Sequence, residues 1–319
     1  MNPHRSAIDH ILALVGDSPL ADALVLRGSV TMLAWAGEHA REPADLDWIV
    51  RPVAVQPQDR WWPYPYVDGL HRVRSAPETA HRRPRDELWE AQDYDAEGHR
   101  PRLPPEGLRW LRADDIEPDR PYLDLIELLE AHPVTAEGVS LDPDGVEFDA
   151  AFGYAYETGY GGSGVRVMVP FDGGRIQIDF AYDETLPEPA VLTAIPRIGG
   201  SPTALWTASA ALSLAWKLQW LAADQAARGA GDGKDLHDAV LLAELPGMRL
   251  SPRLRRMPGV AGLDPATVRS WTVTDHPALH PGAATWLDRL AGALEPLLVS
   301  DAATSAPGAR RVARRRARP

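Results

Sequence analysis

The chain contains no cysteine in 319 residues, which excludes a disulfide framework, a thiol nucleophile and a Cys-type zinc site. It has only two lysines, Lys217 and Lys234, against 31 arginines. Under such a bias a lysine persists most readily where a compact ammonium does what a guanidinium cannot, although two cases are also what chance would leave. No uncharged apolar run approaches the ~20 residues of a membrane span. The N-terminus, MNPHRSAIDH, has neither the basic start nor the apolar segment of a signal peptide. The sequence therefore points to the cytoplasm and to no membrane partner. Positive charge is also scarce outside the end of the chain. The net charge is −12, yet residues 310–319 carry six arginines and no acid, so the preceding residues sit near −18. An acidic body does not hold nucleic acid by bulk electrostatics, which leaves a local patch or the arginine tail. The tail itself reads as a disordered end.

What is present is 45% apolar content, enough for one large domain or two. The most informative stretch is Leu24 to Val50, LVLRGSVTMLAWAGEHAREPADLDWIV. A short apolar strand passes through Gly28-Ser29 into a compact helical segment that Gly37 stops. A glycine lets the backbone approach a phosphate, and a serine at a helix start offers its hydroxyl beside the unpaired N–H groups. After a polar loop, Asp45-Leu46-Asp47 leads into Trp48-Ile49-Val50. In a strand Asp45 and Asp47 share a face roughly 6.6 Å apart, and two carboxylates there repel by about 2.5 kcal/mol at an effective dielectric near 20. A divalent cation converts that repulsion into a ligand pair, and Mg²⁺ suits one or two carboxylates plus substrate phosphates. Taken singly, each motif has a plainer explanation: a turn with an N-cap for Gly-Ser, a solvated strand face for Asp-x-Asp.

Ahead of this stretch, residues 5–15 place apolar residues at helical spacing. Residues 52–120 are rich in Pro, Arg, Asp and Trp with little periodicity, and their aromatics suit packing better than base stacking. Tyr122 to Ala131 predicts an amphipathic helix. From Gly138 to Asp183 the period becomes two, predicting strands over GVSLDPDGVEFDAAFGYAYE, VRVMVPF and RIQIDFAY, joined by glycine-bearing turns. The GYGGSG turn matches a dinucleotide fingerprint only formally, because a strand and not a helix follows it. Asp142-Pro143-Asp144-Gly145 lacks the later ligands of a calcium loop and reads as a turn. In RIQIDF, Asp179 is a carboxylate among Ile176, Ile178 and Phe180, costly unless something pairs with it. It is the candidate third metal ligand; the plainer alternative is a strand-face residue reaching water.

A Pro- and Gly-bearing link, Pro187 to Pro202, leads to a helical half. Trp206 to Ala227 predicts one long helix, followed by a Gly-rich turn and a second helix, KDLHDAVLLAEL. GAGDGKD fails as a P-loop: Arg228 stands at its first glycine, Asp235 at its Ser/Thr, and a helix precedes it. A polar cluster remains on two apolar helices: Lys217, Arg228, Lys234, Asp235 and Asp238, with Asp235 and Asp238 on one helical face. His237 reads as a packing or surface residue. Residues 246–299 offer further helices, notably Ala283 to Leu298. The expected fold class is α+β, a mixed sheet with helices over residues 1–195 carrying an irregular insertion at 52–120, followed by a helical region at 203–299 and a disordered Arg-rich tail at 300–319.

In this order, Gly-Ser, Asp-x-Asp and a distant third Asp resemble the nucleotidyltransferase superfamily that includes DNA polymerase beta. More closely, LRGS (26–29), DLDW (45–48), IQIDF (176–180), LAWKLQWLA around Lys217, Arg228 and KDLHD (234–238) resemble the AbiEii/AbiGii-type toxins of type IV toxin–antitoxin systems. The resemblance implies a polymerase beta-like sheet and transfer of a nucleotide from an NTP with two Mg²⁺ ions. In it Asp45, Asp47 and Asp179 hold metal, Gly28 and Ser29 contact phosphates, and Lys217 and Arg228 offset phosphate charge. Asp235 or Asp238 acts as a base or orients the acceptor, which the resemblance implies is a tRNA 3′ end or a protein hydroxyl, with an antitoxin as partner. Rival readings are a small-molecule nucleotidyltransferase of the antibiotic-modifying type, a phosphoester hydrolase using the same aspartates, and a non-enzymatic NTP- or partner-binding module.

Overall fold

The computed structural model describes residues 2–51, 66–67, 110–111, 120–149, 164–182, 184 and 186–298. The expectations placed on most of the insertion at 52–120, on the GYGGSG turn up to residue 163, and on the arginine tail fall outside them. Backbone contacts divide the chain into two compact units, Met1–Leu214 and Ala215–Pro319.

The first unit is built on a sheet. Helix α1 (Pro3–Gly16) starts where the Asn2 side chain caps the amides of His4 and Arg5, as an N-cap does. A single turn, α2 (Leu20–Ala23), feeds strand β1 (Leu24–Arg27). Helix α3 (Ser29–Ala36) begins at Gly28 and stops at Gly37, and β2 spans Asp45–Val50. A small pair, β3 (Tyr66–Val67) with β4 (Trp110–Leu111), stands apart as its own ladder. Helix α4 (Pro121–Ala131) has Pro at its first position, where no helical N–H is lost. Strands β5 (Glu147–Asp149), β6 (Gly164–Phe171), β7 (Gly174–Ala181), β8 (Val191–Ile195) and β9 (Thr203–Thr207) complete the set.

The order across the seven-stranded sheet is β5-β6-β7-β2-β1-β9-β8. The β7–β2 and β1–β9 pairings are parallel and the others antiparallel, so the sheet is mixed as expected. One face is apolar. Leu24, Leu26, Leu46, Trp48, Ile176, Ile178, Phe180 and Val167 are all within 1% of full burial and cluster with Ile8, Ile11 and Leu12 of α1 and Leu125 and Leu129 of α4. Each such side chain contributes about 1.5–3 kcal/mol. Because strand side chains alternate, the polar residues of β2, β6 and β7 are forced onto the opposite face.

Residues 143–145 form the expected turn, a 3₁₀ turn in which Asp142 accepts from the Gly145 amide, and Glu147–Asp149 extends after it. Two expectations need correction. The link Pro187 to Pro202 contains β8, which pairs with β9 at the sheet edge. The long helix starts at Ala210 and not at Trp206, since Thr203–Thr207 is strand. Ser209 supplies the start, accepting from the Leu212 amide at 3.1 Å.

The second unit is helical. Helix α5 (Ala210–Arg228) runs into it from the first, followed by α6 (Gly233–Ala243), the short α7 (Pro265–Arg269) and α8 (Ala283–Leu298). The Gly-rich turn between α5 and α6 is structural. Gly231 bridges Val273, Asp232 caps the Lys234 amide, and a Cβ on Gly233 would overlap the Thr274 carbonyl. Leu236, Ala239, Val240 and Leu242 of α6 and Leu290, Ala291 and Leu294 of α8 are fully buried. Among the described residues no helix is long and apolar enough to cross a membrane.

Candidate active site

The register of the sheet assembles the sequence motifs of the first unit. Asp45 stands opposite Gln177 and Asp47 opposite Asp179 in the parallel β2–β7 pair. Arg27 of β1 stands opposite Asp47, Arg166 of β6 opposite Asp179, and Asp149 of β5 opposite Arg166. Residues paired in register share a face, so Asp149, Arg166, Asp179, Asp47 and Arg27 form one charged row across five strands. Asp47 and Asp179 are its only adjacent like charges. At the roughly 5 Å strand spacing, two carboxylates repel by about 3 kcal/mol for an effective dielectric near 20.

The Gly-Ser turn abuts this row. Gly28 has φ of 78°, in the left-handed region that favours glycine, and a Cβ there would overlap the Asp47 carboxylate. Its carbonyl accepts from the Thr31 hydroxyl at 2.7 Å, which holds the first turn of α3. Ser29 is buried and its hydroxyl donates to Asp45 Oδ1 at 3.3 Å. Gly28, Ser29, Asp45 and Asp47 are thus brought together.

Asp179 does not reach water. It is 5% exposed, and Arg166 grips it with Nε on Oδ1 and Nη2 on Oδ2, both at 2.8 Å. Gln177 Nε2 adds a third bond to Oδ2 at 3.0 Å. That grip, with the further fields of Asp47 and Asp149, raises the Arg166 pKa against the opposing effect of burial. At the other end of the row Arg27 is buried and donates from Nη1 to both oxygens of Glu184, at 2.8 and 2.6 Å. Burial raises the Glu184 pKa, and Arg27 only partly offsets it. Arg166, Gln177, Arg27 and Glu184 are site residues that the motifs alone missed.

Asp45 and Asp47, half-buried on one face, are the carboxylates that could hold a divalent cation, and the Asp47 carboxylate lies against Gly28, in the space that a side chain there would take. Asp179 fits only if Arg166 gives way. Among the described residues no group of three acidic or histidine side chains stands ready to hold an ion.

The second unit holds the other predicted set. Lys217 is 6% exposed and donates to Asp235 Oδ1 at 2.6 Å, with Asp238 Oδ2 at 3.3 Å. Its ammonium lies 5.0 Å from the centre of the Trp220 ring, a cation–π distance. Asp238 is fully buried, and His237 Nδ1 lies 3.3 Å from its Oδ1. His237 also packs on Trp286, ring centres 4.9 Å apart. Lys217, Asp235 and Asp238 therefore form one hydrogen-bonded group. Arg228, with 64% of its side chain exposed, pairs with Asp224 one turn earlier on α5, and Lys234 pairs with Asp232 at 3.5 Å.

Residues 122–261 match the family model described as "Nucleotidyl transferase AbiEii toxin, Type IV TA system". That span includes Asp179, Lys217, Arg228, Asp235 and Asp238 and is somewhat under half of the chain; Gly28, Ser29, Asp45 and Asp47 precede it. No curated protein matches the chain significantly in sequence. Among solved structures, MenT4, a nucleotidyltransferase toxin from Mycobacterium tuberculosis H37Rv, is similar at 16% identity with a TM-score of 0.48, over 93% of this chain and 83% of that one. Over residues 122–261 the chain is thus similar to the AbiEii nucleotidyltransferase toxins of type IV systems, the family that its motifs resemble.

Proposed function

We propose that the protein transfers the nucleoside monophosphate of an NTP to a hydroxyl acceptor, a tRNA 3′ end or a protein side chain, as the toxin of a toxin–antitoxin pair. The observation that carries the reading is the placement of Asp47 beside Asp179, with Asp45 on the same face and the Gly28-Ser29 helix start against them. A divalent cation bound at Asp45 and Asp47, Mg²⁺ in this reading, supplies charge neutralisation and Lewis acidity at the phosphoryl group. Gly28 permits close approach of the triphosphate, and the Ser29 hydroxyl and the N-terminal amides of α3 offer donors to its oxygens. In the transfer, the acceptor oxygen bonds to the α-phosphorus, the bond to the bridging oxygen breaks, and pyrophosphate leaves in line. The acceptor proton passes to a base, and Asp179 is assigned to a second metal. Lys217, Arg228, Asp235 and Asp238, to which the resemblance gives roles as phosphate and base residues, belong to the helical region, where Lys217 is held by Asp235 and Asp238 and Asp238 is fully buried.

Incubation of the protein with each of four α-labelled NTPs, Mg²⁺, total tRNA and total protein tests this. Label in one pool that disappears with Asp47→Ala is the expected outcome. Binding of NTP without transfer to either pool contradicts it and favours a small-molecule acceptor or a binding module.

A further inference from the structure

We propose that the exposed arginines of residues 249–256, on the second unit, form a surface for the phosphate backbone of an RNA acceptor. The inference rests on the reading of that acceptor as tRNA. Between Glu244 and Asp264 the chain carries Arg249, Arg253, Arg255 and Arg256 and no acid. This is a local patch of the kind that a chain of net charge −12 needs to hold nucleic acid. Outside this segment every described lysine and arginine of the unit, from Lys217 to Arg289, pairs with an aspartate or glutamate. Arg249, Arg253 and Arg256 are exposed and, among the described residues, form no ion pair.

The segment is held firmly from beneath. Leu250, Leu254 and Val260 are buried. Ser251 starts the 3₁₀ turn Leu254–Arg256, its hydroxyl accepting from the Leu254 amide and its carbonyl from the Arg255 amide. Gly259, with φ of 74°, lies so close to α5 that a Cβ there would come 2.8 Å from the Gln219 Cα. The arginines therefore stand between apolar anchors on ordered backbone, and binding need not order the chain first. What else is exposed selects the partner. A protein interface centres on apolar and aromatic side chains, yet all the large hydrophobic side chains exposed among the described residues belong to the first unit. Cations presented without an apolar centre suit a polyanion whose charges repeat along a strand, and a guanidinium can take two phosphate oxygens at once.

Binding of fluorescently labelled total tRNA to the full chain, in EDTA and without NTP so that transfer plays no part, tests this when followed across salt concentrations. Arg249→Gln, Arg253→Gln and Arg256→Gln together are expected to weaken binding at least about ten-fold and to reduce the slope of log K against log salt by about 2–3, near one per arginine. Arg253→Gln alone is expected to take about 1 from the slope, and decides the matter if the triple variant does not fold. Arg269→Gln, which removes an exposed but paired arginine, is expected to leave the slope unchanged. Residues 310–319 are common to all these proteins, so the differences between them report on the segment. A slope unaltered by the triple variant, or altered as much by Arg269→Gln as by Arg253→Gln, overturns this inference and leaves the acceptor reading standing. Absence of tRNA binding by the wild type overturns both. Poly-L-glutamate bound as tightly as tRNA, with the same loss in the triple variant, assigns the surface to an acidic protein and overturns the RNA assignment.

Discussion

The row of charges across the sheet and the Lys217 cluster both combine aspartates with basic groups, but they settle their charges differently. In the cluster, Asp235 has Lys217, and Asp238 has both Lys217 and His237, all with under a tenth of their surface exposed. In the row, Asp47 and Asp179 face each other on neighbouring strands, and Asp45 and Asp47 remain half-exposed. A saturated buried group is what folding demands of charges taken out of water. Like charges set side by side on neighbouring strands, one of them held by Arg166 and the other half-exposed beside the Gly28 turn, mark a place where an ion or substrate can be received.

The largest expected effect comes from breaking the saturated group. Lys217→Met leaves Asp235 and Asp238 buried without their ammonium, and should cost about 3–5 kcal/mol of stability, read as a lowered denaturation midpoint in urea. A midpoint shift of under a tenth of that would show that the cluster is not structural. Gly28→Ala follows, with about 1–3 kcal/mol from the left-handed backbone and the crowded Asp47 carboxylate. It should also lower transfer more than it lowers stability, since it moves a proposed ligand. A Gly28→Ala protein with unchanged transfer would separate the turn from the site.

Glu184 sharpens the comparison through pH. Its carboxyl takes up a proton more readily in the folded chain than in the unfolded one, so its contribution to stability falls as pH rises from about 4.5 through its raised folded value. The stability of the wild type relative to Glu184→Gln should therefore increase as pH is lowered through that window. The opposite slope in the difference between paired denaturation curves would mean that Arg27, not burial, governs the pair. The smallest effect belongs to Arg228→Ala. An exposed i,i+4 pair contributes at most about 0.5 kcal/mol, so any substantial loss of transfer without loss of stability would support a direct role in phosphate binding.

Much of the sheet row was legible because period-two alternation with apolar flanks fixes which side chains share a face. Asp45, Asp47 and Asp179 follow from that rule, and Gly28-Ser29 from the passage of a strand through a turn into a helix. Arg166 could also have been found: the turn at Asp172-Gly173 closes a two-residue hairpin, and counting back along both strands sets 166 opposite 179. Read without its partner, an arginine in VRVMVPF looks like any solvent-facing residue. Arg27 with Glu184 carries no such signal, because 157 residues separate them and no local pattern encodes the contact. The start of α5 was misplaced for a different reason. Leu205 and Trp206 continue the apolar spacing of the helix, and only the Ser209 cap distinguishes strand from helix there. Likewise β8 is five residues between prolines, too short for alternation to identify.

The most direct test of the whole reading is the rate of nucleotidyl transfer per folded molecule in Asp47→Asn, measured beside its melting temperature. Loss of at least about 10³-fold in rate with a melting temperature close to that of the wild type is the expected result, since the substitution keeps the size of the side chain and removes the charge of the proposed ligand. Transfer retained at the wild-type rate, with stability unchanged, would contradict the assignment of the sheet row as the site of chemistry.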